Sequence, residues 1–240
     1  EGTALWQIVD DPHTAAWTPG GNSVVASLDL AIAALIDGTK TVKRRAPPRR
    51  QRASPEEAGQ PMSVAYVLQA LDQARGAHDV VVEEAPGSRG VMQQNLPMTG
   101  ADSFYTMASG GLGFGMPAAV GVALGRQRKR LKGRTIALMG DGSSMYSIQA
   151  LYAASQLGLP ITFVILNNRR YAALQDFAPV FGYAKGDKPA GTDLPHLDFV
   201  SLANGQGVPA SRVERPEQLR KSLETALAAK GPYLVELVVS

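Results

Sequence analysis

Residues 140–168 read GDGSSMYSIQALYAASQLGLPITFVILNN. Apolar runs with the length of buried strands end just before the first glycine and just before the asparagine pair of this stretch. The residues between them predict a helix over 147–157. Because a strand, a helix and a second strand follow in that order, the stretch predicts two parallel strands joined by a crossover helix.

The sequence on either side continues the same alternation. Further helices are predicted over 63–77, 117–124 and 216–229, and further strands over 78–83 and 233–239. Strands built from apolar runs and separated by helices are typical of a parallel sheet that is covered on both faces. The predicted fold class is therefore α/β, a doubly wound parallel sheet. Ligands of such sheets bind outside the carboxyl ends of the strands.

The N-terminal part of the chain has a different character. Residues 1–37 contain only two short predicted strands and one apolar helix, too little to enclose a core. We therefore expect them to be the C-terminal end of a second, middle α/β domain that begins before Glu1. Residues 38–61 are basic and rich in proline, and they predict a linker to the main domain at 62–240. A nucleic-acid patch is the alternative for the basic run, but prolines interrupt it and no aromatic residue does.

Composition excludes several classes of protein. The chain has no cysteine, so it has no disulfide framework, thiol nucleophile or cysteine-ligated zinc, which fits a cytoplasmic protein. The uncharged stretch 103–125 is long enough to cross a bilayer, but its six glycines and its proline make a spanning helix a poor interpretation. We expect neither a membrane nor a nucleic acid as partner.

Two polar motifs follow the two central strands. Asp141 lies in a Gly-Asp-Gly turn and Asn168 ends an Asn-Asn pair, with 24 residues between the motifs. The carboxyl ends of parallel strands meet at one rim, so a carboxylate and a carboxamide are predicted to lie together there. Free amides at the start of the crossover helix favour an anion. Oxygen ligands beside such a helix start suit Mg²⁺ that bridges a diphosphate, and the glycines allow close approach of the backbone.

This pair of motifs resembles the signature of thiamin-diphosphate-dependent enzymes. The sequence is most similar to the benzoylformate decarboxylases, through residues 108–121 (ASGGLGFGMPAAVG), 140–168, 171–177 (YAALQDF) and 230–237 (KGPYLVEL). The resemblance implies the thiamin-diphosphate-binding fold and, as cofactors, thiamin diphosphate and Mg²⁺. It also implies the non-oxidative decarboxylation of a 2-oxo acid to an aldehyde and CO₂.

The resemblance further implies a role for each matching residue. The metal ligands would be the side chains of Asp141 and Asn168 and the backbone carbonyl of Arg170. Leu112 would hold the cofactor bent, and Leu174 and Phe177 would line the substrate pocket. The full set of expected cofactor-binding residues is Gly87, Ser88, Gly110, Leu112, Asp141, Gly142, Ser143, Tyr146 and Asn168.

The same resemblance places the acid–base groups outside this chain. In the family a glutamate and two histidines act in catalysis, and His13, His78 and His196 match neither histidine. No catalytic residue is therefore expected here. The implied partner is an N-terminal pyrimidine-binding region or subunit, in a homodimer or homotetramer, and the chain alone is not expected to turn over.

Departures from the family pattern leave alternatives open. Arg169 and Arg170 stand where benzoylformate decarboxylases typically have small residues, and their charges favour an acidic 2-oxo acid. Residues 84–88 (EAPGS) offer fewer hydroxyl groups than the family often does. The alternatives are a carboligase or lyase resembling acetolactate synthase or 2-hydroxyacyl-CoA lyase, and a binding module for thiamin diphosphate that has no catalytic activity.

Overall fold

The computed structural model describes residues 3–40, 43, 45–46, 53–184 and 186–240. Part of the predicted basic linker, including Arg44 and Arg52, lies outside the described residues. The chain divides into two compact units, Glu1–Arg50 and Gln51–Ser240.

The first unit is a small parallel strand pair with two helices. β1 (Trp6–Val9) pairs with β2 (Asn22–Val25), and α1 (Pro12–Ala16) and α2 (Leu28–Gly38) follow the two strands. None of its described residues is buried, and large apolar side chains such as Trp17 are exposed (83%). Its assignment to the end of a larger domain stays a prediction.

The second unit is built on a parallel sheet, as predicted. In the part of the chain that the structure describes, its six strands are β3 (Val80–Glu84), β4 (Phe104–Thr106), β5 (Thr135–Gly140), β6 (Ile161–Asn167), β7 (Ala210–Val213) and β8 (Tyr233–Val238). They follow the order β4-β3-β5-β6-β8-β7 in the sheet, and all pairs are parallel.

Helices cover both faces of this sheet. The covering helices are α3 (Val64–Ala74), α4 (Arg89–Asn95), α5 (Gly115–Arg128), α7 (Ala150–Gln156), α9 (Phe199–Gly205) and α10 (Pro216–Ala228). Two short helices, α6 (Asp141–Ser144) and α8 (Ala172–Phe177), lie at the carboxyl ends of the strands instead. Along β5, Ile136 and Leu138 pack in the core with α3, α4 and α10, whereas Ala137 and Met139 pack in the core with α5, α7 and α9. This alternation confirms the doubly wound α/β class. No helix in the described residues is long and apolar enough to span a membrane.

The crossover between β5 and β6 differs from its prediction. The helix expected over 147–157 is present as α7 (Ala150–Gln156), and a separate short helix, α6 (Asp141–Ser144), precedes it. Tighter turns join the two helices, for example where the Tyr146 amide donates to the Ser143 carbonyl at 3.2 Å. Glycine and serine are weak helix formers, and they dominate the start of this segment. The sequence pattern also did not indicate the short elements β4, β7, α8 and α9.

A buried arginine ties together the amino ends of the strands. Arg134 is 6% exposed, and its guanidinium donates to the carbonyls of Ile161 (2.9 Å), Ala229 (2.6 Å) and Gly231 (2.7 Å) and to the Thr162 hydroxyl. Burial lowers the pKa of this guanidinium to about 10, although Asp79 opposes the shift. The guanidinium thus joins the starts of β5 and β6 to the turn before β8.

We predict that Arg134→Lys lowers the free energy of unfolding by about 2–4 kcal/mol. The single ammonium group of lysine cannot donate to all of the acceptors that surround the planar guanidinium group of arginine. Urea unfolding followed by circular dichroism measures the change. Arg128→Lys, at an exposed position near the end of α5, is the control and should change it by less than about 0.5 kcal/mol. Equal stability of the two variants would contradict the role given to Arg134.

Candidate functional site

A cavity of about 330 Å³ opens at the carboxyl ends of β3, β5 and β6. Four backbone segments line it, through Ala85, Pro86, Gly87, Ser88, Gly110, Leu112, Gly140, Asp141, Gly142, Ser143, Tyr146, Leu166, Asn168, Arg170, Tyr171, Ala172, Ala173 and Leu174. Another cavity, of about 340 Å³, lies between α3 and α10 and away from the strand ends. We place the functional site in the first, because that is where ligands of parallel sheets bind and where polar groups of this chain converge.

Asp141 presents a buried carboxylate to this cavity. It follows β5 directly and is 3% exposed. Its Oδ1 accepts from the Gly142 amide at 2.8 Å and its Oδ2 from the Arg170 amide at 3.2 Å. Burial raises the pKa of this carboxyl group, and hydrogen bonds from neighbouring amides partly offset the rise. No described cationic side chain forms an ion pair with Asp141, so a bound cation would relieve the cost of its burial.

The Asn-Asn pair forms a tight turn at the end of β6. The Asn167 Oδ1 accepts from the Arg169 amide at 3.0 Å, and the Asn168 Oδ1 accepts from the Arg170 amide at 3.2 Å. Arg169 has a φ of 60°, in the left-handed region. These side-chain bonds to the backbone stabilise the turn. The Arg170 amide therefore lies 3.2 Å from oxygens of both Asp141 and Asn168, so the structure brings these two side chains together.

A buried glutamate decides which asparagine faces the cavity. The Asn167 Nδ2 donates to Oε1 of Glu236 at 2.7 Å, and Glu236 is 1% exposed. Oε2 of the same glutamate accepts from Arg212 Nε at 2.8 Å. Asn167 is thereby held toward β8, and Asn168 is left at the cavity. Neither Glu236 nor Arg212 was predicted as a site residue, although a charged residue inside the apolar strand YLVELV was a signal for Glu236.

Tyr171 closes over the Gly-Asp-Gly turn. A Cβ added to Gly142 would lie 2.3 Å from Cε1 of the Tyr171 ring, so only glycine fits beneath the ring as it stands. Burial raises the pKa of the Tyr171 hydroxyl, with smaller contributions from Tyr146 and Asp141. Tyr171 lines the cavity and was not among the predicted site residues.

The segment after β3 forms another wall of the cavity. Its 3₁₀ turn, Pro86–Ser88, places Gly87 and Ser88 on the cavity. Glu83, fully buried, fixes the start of this segment. Its Oε1 accepts from the Ala85 amide at 2.6 Å and its Oε2 from Arg89 Nε at 3.0 Å.

The sequence-predicted residues fall into two groups. Eleven of them line the one cavity, namely Gly87, Ser88, Gly110, Leu112, Asp141, Gly142, Ser143, Tyr146, Asn168, Arg170 and Leu174. Phe177 does not line it. Phe177 is 60% exposed and packs against Phe181, with ring centroids 6.5 Å apart. Its place in a substrate pocket therefore stays a prediction, as do the roles of the others.

The oxygens at the rim fit a hard cation. No cluster of three or more histidine, cysteine or acidic side chains occurs within the described ranges, so a metal here would also need amide and carbonyl oxygens. Asp141 and Asn168 offer a carboxylate and a carboxamide. No donor in the described part of the chain reaches the Arg170 carbonyl oxygen. Such an all-oxygen set is the kind that Mg²⁺ prefers.

Comparison with known proteins identifies relatives of the chain. Residues 87–237 match the family described as thiamine pyrophosphate enzyme, C-terminal TPP binding domain. A benzoylformate decarboxylase of Pseudomonas aeruginosa is 37% identical over 98% of this chain and 44% of its own length. An acetolactate synthase isozyme 2 large subunit of Escherichia coli is 28% identical over 77% of this chain and 33% of its own length.

Solved structures give the same result. Benzoylformate decarboxylase from Polynucleobacter necessarius superposes with a TM-score of 0.91 at 31% identity, covering 100% of this chain and 45% of that one. A thiamine diphosphate-dependent 4-hydroxybenzoylformate decarboxylase from Rhodococcus jostii RHA1 gives 0.87 at 32% identity, covering 100% and 44%. The chain therefore spans less than half the length of these relatives.

We predict that Gly142→Ala destabilises the protein by about 1–3 kcal/mol, because its methyl group must displace the Tyr171 ring. The losses in free energy of unfolding caused by Gly142→Ala and Tyr171→Ala should not add. The double variant should lose about 1 kcal/mol less than the sum of the two single losses, as is typical of residues in contact. Urea unfolding of all three variants measures this coupling.

Gly121→Ala is the matched control for that cycle. Gly121 lies within α5 and a Cβ there would meet nothing within 4 Å, so its replacement should leave stability unchanged or raise it. If the two stability losses at Gly142 and Tyr171 added strictly, the substitution at Gly142 would not act through the Tyr171 ring.

Proposed function

Because this chain belongs to the family of thiamin diphosphate enzymes, we propose that it is the diphosphate-binding part of a decarboxylase. Its substrate would be a benzoylformate-like 2-oxo acid, converted to an aldehyde and CO₂. The observation that carries the proposal is the convergence of Asp141 and Asn168 on one amide at the rim of the sheet.

The rim residues would hold the charged end of the cofactor. Asp141, Asn168 and the Arg170 carbonyl would bind Mg²⁺, which in turn would neutralise the diphosphate. The Ser143 amide belongs to the short helix α6 that faces the cavity and would donate to phosphate oxygens, and Gly142, whose amide donates to Asp141, would let these oxygens approach the backbone closely. Ser88 and Gly87, from the segment after β3, would contact the diphosphate from the other side.

The remaining cavity residues would bind and shape the organic part of the cofactor. Thiamin diphosphate, when bound, supplies the electron sink for removal of CO₂. Leu112 is half-buried on the cavity wall and would keep the cofactor bent. The Gly110 carbonyl would accept a hydrogen bond from its aminopyrimidine. Leu174, on α8, would cover the substrate, and Phe177 is proposed to contribute to the same pocket.

Acid–base chemistry would come from outside the chain. We propose that a pyrimidine-binding region, on a longer polypeptide or on a separate subunit, provides the family's glutamate and histidines. The chain covers 44% of its Pseudomonas relative, which leaves room for such a region there. The complete site would then form in a homodimer or homotetramer.

Decarboxylation is favoured over carboligation by the extent of the match. The benzoylformate decarboxylase relative aligns over 98% of the chain, whereas the Escherichia coli acetolactate synthase aligns over 77% at lower identity. The carboligase remains the second candidate.

We predict that Asp141→Ala lowers the affinity for thiamin diphosphate with Mg²⁺ at least about tenfold, because an anionic metal ligand is lost. Calorimetric titration measures the affinity. Asp72→Ala, on α3 outside the cavity, is the control and should bind as the parent does. Unchanged affinity in Asp141→Ala would contradict the metal assignment.

The same titration should depend on pH. Protonation of Asp141 competes with the cation, and burial raises the pKa of this carboxyl group above its ordinary value of 3.8. The affinity should therefore be at its maximum well above the raised pKa and should fall as the pH decreases through that pKa. In Asp141→Ala the contribution of this carboxyl group to the acid-side loss should be absent.

Turnover tests the reaction itself. CO₂ release should be measured with benzoylformate, 4-hydroxybenzoylformate, pyruvate and an acidic 2-oxo acid, with saturating cofactor and Mg²⁺. The chain is assayed alone and after addition of the pyrimidine-binding region of a benzoylformate decarboxylase. We expect release from an aromatic or acidic 2-oxo acid only in the combined sample. Acetolactate formation from pyruvate would favour the carboligase, and binding without any turnover would favour a binding module.

A further inference from the structure

Two consecutive glutamates end strand β3, and neither has a place in the chemistry above. Glu83 and Glu84 follow three valines in the strand, and both are 0% exposed. Burial of a carboxylate is costly unless donors surround it. Glu83 has a guanidinium partner in Arg89, at 3.0 Å. Glu84 forms no ion pair with a described residue, so its burial needs another explanation.

Glu84 caps helix α5 from a different element. Its Oε1 accepts from the Gly113 amide at 2.7 Å, and its Oε2 accepts from the amide of Gly115, the first residue of the helix. The helix is 14 residues long, and its own N-cap residue, Phe114, supplies no side-chain bond. The positive end of a helix and its free amides stabilise a carboxylate. The start of α5 is therefore occupied by Glu84 and is not available to a phosphate.

The capped segment has little freedom to move. A Cβ added to Gly115 would lie 2.7 Å from the Glu84 Cβ and 2.7 Å from Cε of Met139, so the helix start lies directly against the strand ends. Gly113 has a φ of +103°, a conformation that side chains rarely allow. Two residues of the same segment, Gly110 and Leu112, line the cavity. Glu84 itself does not line it.

We propose that Glu84 is a positioning residue, which fixes the cavity wall formed by Gly110 and Leu112 and so sets the affinity for the organic part of the cofactor. This inference rests on the proposed function. The residues expected to bind the diphosphate, Asp141 and Ser143, belong to a different segment. Loss of the Glu84 carboxylate should therefore weaken binding of the whole cofactor and leave binding of the diphosphate group alone intact.

The test compares two ligands in one variant. Glu84→Gln keeps the shape of the side chain but turns an amide group toward one of the two backbone donors. We expect the affinity for thiamin diphosphate with Mg²⁺ to fall about tenfold, while that for inorganic diphosphate with Mg²⁺ stays within about twofold. Glu84→Asp retains the charge but is one methylene shorter, so it should give an intermediate loss and serves if Glu84→Gln does not fold.

A second variant separates positioning from general stability. Arg134→Lys is expected to destabilise the fold from the opposite rim of the sheet, so it should leave both affinities unchanged at a temperature at which all variants are folded. Equal weakening of the two ligands by Glu84→Gln, or no change in either, would overturn the proposal.

Amide hydrogen exchange tests the same contact without any cofactor. Glu84→Gln should speed exchange at Gly113 and Gly115 more than at amides of the central strands, measured by nuclear magnetic resonance on the 240-residue chain. Unchanged exchange at both glycines would overturn the positioning role. If the parent chain binds no thiamin diphosphate even after the pyrimidine-binding region is added, the proposed function fails, and faster exchange at these two glycines would still support Glu84 as the residue that holds this wall.

Discussion

The parallel pairing of β5 with β6 is the constraint on which the site depends. Its register sets Gly140 beside Leu166, so the residues that follow the two strands emerge at the same level of the rim. A shift of one residue in this register would turn the side chains of one strand to the opposite face, so that each would pack in the other of the two cores. Both strands are apolar runs buried on both faces, and their register brings Asp141 and Asn168 together.

Buried charge is concentrated at this end of the sheet, and each carboxylate there is stabilised differently. Glu83 and Glu236 pair with the arginines Arg89 and Arg212, and both support the turns that carry site residues. The Glu84 carboxylate is stabilised by backbone amides at the start of helix α5. Asp141 has backbone amides and an open side toward the cavity. A group that the fold leaves only partly compensated is a natural place for a cation to bind, since metal binding then relieves a cost that the protein carries.

The amino ends of the strands therefore contribute to stability, whereas the carboxyl ends form the candidate site. At the amino ends, Arg134 joins strands and turns through backbone carbonyls, with no cavity-lining residue involved. At the carboxyl ends, glycines and short turns let backbone amides and side-chain oxygens face one space. The left-handed Arg169 at this rim is stabilised locally, because its amide donates to Oδ1 of Asn167.

The sequence by itself determined the α/β class, the two central strands and the polar residues that end them, because apolar periodicity and turn residues are local signals. It also indicated eleven residues that share the cavity, through their likeness to a family. Only the tertiary structure showed what holds Asn167 away from the cavity, that Tyr171 covers Gly142, and that Phe177 does not line the cavity. Those outcomes depend on contacts between distant segments, such as Asn167 with Glu236, 69 residues away. A local pattern contains no information on which strand will be the neighbour, so the partner of a buried polar group appears only when the sheet is assembled.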